Sequence, residues 1–196
     1  IELPDSLRTI GDKAFYRNYK LESVDFGNGV TVIGERAFYQ CESLGTLDLP
    51  SSLTSIGDYA FYKCKNLGSV KIGDRVSSIG NYAFYKCTNL IVVSLPDSVT
   101  TIGDYAFRGC TGLTSVALGS SITYIGRHAF YGCSNMTIYS EARGEYENWN
   151  VRWNSSYVPV VWGVDLTPDK AYVVSVTVSA DTFANIGTRN RLFAPV

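Results

Sequence analysis

Six copies of one box, Ile-Gly-x-x-Ala-Phe, run along this chain at a constant step of 23 residues: Ile10 to Phe15, Ile33 to Phe38, Ile56 to Phe61, Ile79 to Phe84, Ile102 to Phe107 and Ile125 to Phe130. A fixed step of this length marks a solenoid, in which each repeat is one coil that buries its apolar face only against its neighbours. One elongated domain with a tail is therefore the expected organisation.

Between boxes the chain reads Leu21-Glu22-Ser23-Val24-Asp25-Phe26, then Leu44 to Leu49, Leu67 to Ile72, Leu90 to Leu95 and Leu113 to Leu118, a pattern L-x-x-V-x-L. Its last four residues alternate polar and apolar, as in a strand with one buried face. Stacked coils then build a parallel sheet of five or six strands, about 4.8 Å apart. Each strand ends at a residue that alternates strictly, Pro4, Gly27, Pro50, Gly73, Pro96 and Gly119, so a two-coil unit of 46 residues underlies the single coil. A second apolar pair, from Leu7 with Ile10 to Ile122 with Ile125, returns the chain across the back.

Within the box, the Gly after Ile suits a positive φ or a sharp turn. Asp12, Asp58, Asn81 and Asp104 suit capping of a one- or two-turn helix that carries Ala and Phe. Phe15, Phe38, Phe61, Phe84, Phe107 and Phe130 are the expected large core residues. Cys41, Cys64, Cys87, Cys110 and Cys133 share one register, which Asn18 fills in the first repeat. An odd count at a repeat-locked position favours a buried ladder of small side chains, with disulfides between adjacent turns as the alternative.

The full pattern, L-x-x-V-x-L-P-x-S-V-T-x-I-G-x-x-A-F-x-x-C, resembles the BspA-type class of leucine-rich repeats, found chiefly in bacterial surface and secreted proteins. The resemblance covers residues 1–136. It implies an α/β solenoid: a right-handed leucine-rich-repeat coil of six 23-residue repeats, with a parallel β-sheet on one face, short helical turns on the other and a C-terminal cap. The Asn that usually follows the strand in the broader leucine-rich consensus is absent; Gly29, Ser52, Arg75, Ser98 and Ser121 stand nearby.

Beyond Cys133 the box stops. Residues 137–164 carry Trp149, Trp153 and Trp162 and are expected to cap the last coil, since large aromatics cover an open end with much area per residue. This stretch also looks like the W-N…P-V-V-W-G segment that closes BspA-type arrays; a sugar-binding aromatic patch is its alternative. Residues 165–196 are expected to be a β-rich tail, with Thr167-Pro168-Asp169 as linker and Tyr172 to Val178 as one strand, that begins a further module or packs along the cap. The opening at Ile1, inside a repeat, suggests a processed or excised chain.

A net charge of −1 leaves no basic footprint for nucleic acid, and no apolar run reaches the length of a membrane span. The lone His128 argues against most triads and His-based metal sites, and a Cys133–His128 dyad competes with the structural ladder. Asp25 and Asp48, outward on neighbouring strands, stand near the spacing of a retaining glycosidase pair. Asp12, Glu35 and Asp58 offer too few oxygens for Ca²⁺. No metal and no cofactor are expected.

Two surfaces are candidates for partners. One is the outward strand face: Ser23, Asp25, Thr46, Asp48, Ser69, Lys71, Val92, Ser94, Ser115 and Ala117. The other is a strip of Tyr16, Tyr39, Tyr62, Tyr85 and Tyr131, interleaved with Arg17, Lys63 and Lys86; Tyr gives large contact area at low entropy cost. The expected function is a non-enzymatic binding or adhesion scaffold for a protein or glycan, its extracellular or bacterial cell-surface location implied by the resemblance. A structural spacer for downstream modules is the alternative, and a glycan-active enzyme using the Asp pair ranks last.

Overall fold

The computed structural model describes residues 1–166; the linker and the strand expected at 172–178 lie outside the described residues. Two parallel sheets run the length of the coil. Two-residue strands built on the box isoleucines form the first: β1 (Thr9–Ile10), β2 (Val32–Ile33), β4 (Ser55–Ile56), β6 (Ser78–Ile79), β8 (Thr101–Ile102) and β10 (Tyr124–Ile125), paired in that order. The L-x-x-V-x-L stretches form the second: β3 (Thr46–Asp48), β5 (Ser69–Lys71), β7 (Val92–Ser94) and β9 (Ser115–Leu118). β11 (Thr137–Ser140) and β12 (Val160–Trp162) extend it past the last box, and an isolated parallel bridge of Glu2 with Asp25 continues it the other way. The array makes about seven turns.

Register follows the repeat. Val70 lies between Leu47 and Val93, so like stands on like and every inward side chain meets its equivalent one coil away. Phe38, Phe61, Phe84, Phe107 and Phe130 stack through the centre with centroids 5.2–5.5 Å apart, and all are fully buried. Phe15, in the first coil, is only half-buried against Phe38, because no described coil lies beneath it.

The short helical turns expected on the far face are absent: among the described residues there is no helix. The backbone N–H groups show why. In the first box Ala14, Tyr16 and Asn18 donate to Gly11, Lys13 and Phe15 and close tight local turns, whereas Lys13, Phe15 and Arg17 donate to Glu35, Ala37 and Tyr39 of the next coil, at 2.7–2.9 Å. A helix would keep every N–H within its own coil; here alternate residues are committed to a neighbour. Satisfying both sets turns the third residue of the first and last of these tight turns left-handed, as a type II turn requires. Thus φ is 54–58° at Lys13, Arg36, Tyr59, Tyr82, Tyr105 and His128, and 55–80° at Arg17, Gln40, Lys63, Lys86, Gly109 and Gly132.

Two further expectations change with this geometry. The box glycines do not carry positive φ; a Cβ on Gly80 would lie 2.6 Å from the carbonyl carbon of Gly57, so they are there to let coils approach. The capping side-chain oxygens do accept backbone N–H groups, but from the next coil: Asp12 from Glu35, Asp58 from Asn81, Asn81 from Asp104 and Asp104 from Arg127, at 2.7–2.8 Å.

All five cysteines are buried free thiols. Each Sγ donates to the carbonyl of the box Phe one coil back, Cys64 to Phe38 and Cys87 to Phe61, both at 3.2 Å. Beyond the last box, Trp153 stands one full period after Phe130 and meets its ring edge-on at 6.2 Å. Trp149 lies against both Trp153 and the half-buried Trp162, and its indole N–H donates to Ile122.

Candidate functional site

The strand face is open and shallow. Thr46, Asp48, Ser69, Lys71, Val92 and Ser94 are exposed, as are Ser23 and Asp25 beside them, while Ser115 and Ala117 are partly covered. Lys71 Nζ lies 3.7 Å from Asp48 Oδ1, and both side chains are largely solvated, so the pair contributes little stability. An open groove of about 890 Å³ at the strand ends is lined by Glu2, Asp5, Asp25, Asp48, Lys71 and Asp74, which makes this rim acidic. A glycosidase acid needs a desolvated carboxyl poised to hold its proton. Asp48 instead faces a lysine, and Asp25 accepts the Gly27 N–H at 3.0 Å in open water.

The box face carries more order. Tyr16, Tyr39, Tyr62 and Tyr85 form a continuous stack with centroids 4.6–4.9 Å apart and planes within 16° of parallel. Sequence reasoning saw this row. It missed a second one, Tyr59, Tyr82 and Tyr105, stacked at 4.7 Å and continued by His128 at 5.4 Å. The rows touch, with Tyr59 against Tyr62 at 5.8 Å and Tyr82 against Tyr85 at 5.7 Å, giving one aromatic field across several coils. The shared box register of Tyr59, Tyr82, Tyr105 and His128, three residues C-terminal to the box Ile, is legible in the sequence and reads there as surface filling; a helical turn placed at that point hides its adjacency to the first row.

Crowding shapes the titration of these phenols. Burial first, then neighbouring Tyr39, Tyr85 and Tyr59, pushes Tyr62 up to about 12. Tyr82 is raised by burial and by Tyr105 and Tyr59. His128 is lowered, mainly by burial and then by Arg127, Arg108 and Arg152, and its Nδ1 contacts Ser155 Oγ in the terminal segment. Cys133 donates to Phe107, so the Cys133–His128 pair is not assembled.

Cations rest on this field. Arg17 lies over Tyr16 at 5.2 Å, Lys63 over Tyr62 at 5.3 Å and Lys86 over Tyr85 at 5.6 Å. Arg108 stands in the register of the first row, within 5.9 Å of Tyr85, 5.4 Å of Tyr105 and 4.9 Å of Tyr131. What the arrangement can do chemically is bind: it presents ring edges, hydroxyls and fixed positive charge.

A solenoid of parallel strands with a leucine-patterned repeat is the architecture of a leucine-rich-repeat protein. The family model described as the BspA type leucine rich repeat region matches six copies over residues 8–137, and the chain belongs to that family. Among solved structures it is similar to the leucine-rich-repeat protein of T. pallidum, with 34% identity over 70% of this chain and 67% of that one, TM-score 0.68. It shares its fold with a leucine-rich-repeat protein from Eubacterium ventriosum, with 21% identity over 85% of this chain and 44% of that one, TM-score 0.68. The chain thus spans less than half of the latter's length. Neither description names an enzyme, and none of the curated proteins matches the chain. Among the described residues no helix is long and apolar enough to cross a membrane.

Proposed function

We propose that this protein is a non-enzymatic binding scaffold, acting at a bacterial cell surface or outside the cell, that recognises a protein or glycan through exposed repeat positions. The observation that carries the reading is the aromatic field itself. Tyrosine recurs there at Tyr59, Tyr82 and Tyr105 in a left-handed conformation that bulky side chains disfavour and that other coils fill with Lys13 or Arg36. Local geometry therefore does not demand an aromatic ring, whereas interfaces favour Tyr as a large, rigid contact. Membership of the BspA-type family supports the surface location.

The test uses the purified chain on intact epithelial cells, on immobilised extracellular-matrix proteins and on a glycan array. Binding that falls when Tyr39, Tyr62 and Tyr85 are changed to Ser, with the urea melt retained, supports the box face. Binding that falls instead when Thr46, Ser69 and Val92 are changed to Glu moves the site to the strand face. An absence of binding on all three surfaces leaves the chain as a spacer.

A further inference from the structure

We infer that the tyrosine field is the docking surface for an acidic, extended segment of a partner protein, which rests on the scaffold function proposed above. Its charge is the first argument. Among the described residues none of Arg17, Lys63, Lys86, Arg108 and Arg127 comes within 4.0 Å of a carboxylate; the ion pairs present are Arg36 with Glu35, Lys65 with Glu42 and Lys71 with Asp48. Arg17 and Lys86 lie over the end rings of the first row and Arg108 over Tyr131, which fixes them without neutralising them, while Lys63 stands beside Tyr62, whose two faces its neighbours cover. The nearby acids are engaged: Asp58 accepts from both the backbone and side-chain nitrogens of Asn81, and Asp104 from the backbone of Arg127. In a chain of net charge −1, positive charge is thus gathered on the box face while the groove at the strand ends is acidic.

Ring geometry is the second argument. Each interior ring of a row has both faces covered by its neighbours at 4.6–4.9 Å, so flat stacking of a sugar or a base on those faces is closed. What remains outward is the ring edge, where the quadrupole is positive, and the phenol hydroxyl, a donor. Edge, hydroxyl and cation all suit carboxylate. The rows run along the solenoid across successive coils, so a linear acidic segment reaches several charges at once, and rows already stacked need little ordering on binding.

The experiment measures fluorescence anisotropy of fluorescein-labelled poly-L-glutamate titrated with the whole chain at low and at physiological salt. The variant combines Lys63→Gly, Lys86→Gly and Arg108→Tyr. Each change installs the residue that another coil already has in that register, Gly109 or Gly132 for the lysines and Tyr131 for the arginine, so the fold is retained. Wild type is expected to bind, more weakly as salt rises, and the triple variant about tenfold less tightly. Lys71→Gln, on the strand face, should bind like wild type. Equal affinity of wild type and triple variant overturns the inference, as does preference for heparin over polyglutamate, which would assign a polyanionic glycan. If wild type ignores polyglutamate yet still adheres in the cell and matrix assays, the acidic-segment inference falls while the scaffold reading stands; silence in every assay removes both.

Discussion

At the scale of single residues, the closeness of coils shows most clearly at the box glycines. A methyl group on Gly80 would sit 2.6 Å from the Gly57 carbonyl carbon and 2.7 Å from the Asp58 nitrogen, both backbone atoms just past the end of β4. Gly11 occupies the same register in the first coil, where a Cβ meets nothing within 4 Å. Gly80→Ala should therefore cost at least about 3 kcal/mol, and Gly11→Ala should stay within about 0.5 kcal/mol of wild type. Urea denaturation of the two variants decides between this and a conformational role for glycine, which would make the two substitutions equally costly.

Also at residue scale, the thiols link stability to pH. Burial raises Cys41 from 9.0 to about 11 and holds Cys64 and Cys110 well above the ordinary value. The folded chain then keeps protons that the unfolded chain releases, so stability is complete below about pH 9 and declines as pH climbs toward the folded values. Each such thiol contributes a slope that climbs toward about 1.4 kcal/mol per pH unit as its unfolded form ionises, and these three together approach about 4. The melting temperature should drop steeply between about pH 9 and 10.5. Cys64→Ala with Cys87→Ala should give a lower melt at pH 7 and a shallower fall in alkali; a wild-type melt flat to pH 10.5 would contradict the ladder. Iodoacetamide should label no cysteine until the chain is unfolded.

At the scale of the coil, position within the stack decides what each Phe is worth. Phe84 packs between Phe61 and Phe107, both at 5.2 Å, whereas Phe15 has a partner on one side only. Phe84→Ala is expected to lose about 3–5 kcal/mol and Phe15→Ala less than half of that, measured by the same urea melts. The features legible in the sequence at this scale are those one coil determines alone. The alternation around Val70 marks a strand, and the shared step of the cysteines marks a ladder, because both express which side chains face inward. The turn conformation at Lys13 and Arg17 was not legible, because it arises from N–H groups given to Glu35 and Tyr39 of another coil. For the same reason, half of the candidate site was missed: Tyr59 meets Tyr62 only once those turns are tight and left-handed.

Across the whole molecule, the alternation of Pro and Gly at the strand ends sets how coils can be removed. A Cβ on Gly73 would lie 2.5 Å from the Pro50 carbonyl oxygen and 3.0 Å from its carbonyl carbon, so the coil stacked directly on Pro50 has no room for a side chain at that point. Deleting residues 51–73 takes out one coil and sets Pro96 on Pro50, where its ring collides with that backbone. Deleting residues 51–96 takes out two coils, joins Pro50 to Asp97 and restores Gly119 as the residue above Pro50. Stability in a solenoid is close to a sum of coil and interface contributions, so the longer deletion loses two coils and their interfaces but keeps every remaining contact in register. It should fold, with one cooperative urea transition whose slope is smaller by roughly a quarter to a third, in proportion to the surface no longer buried. The shorter deletion keeps more chain yet should melt lower, because its new interface carries a clash that only backbone displacement relieves. If the single-coil deletion proves the more stable, the repeating unit is one coil and the Pro–Gly alternation has no structural consequence.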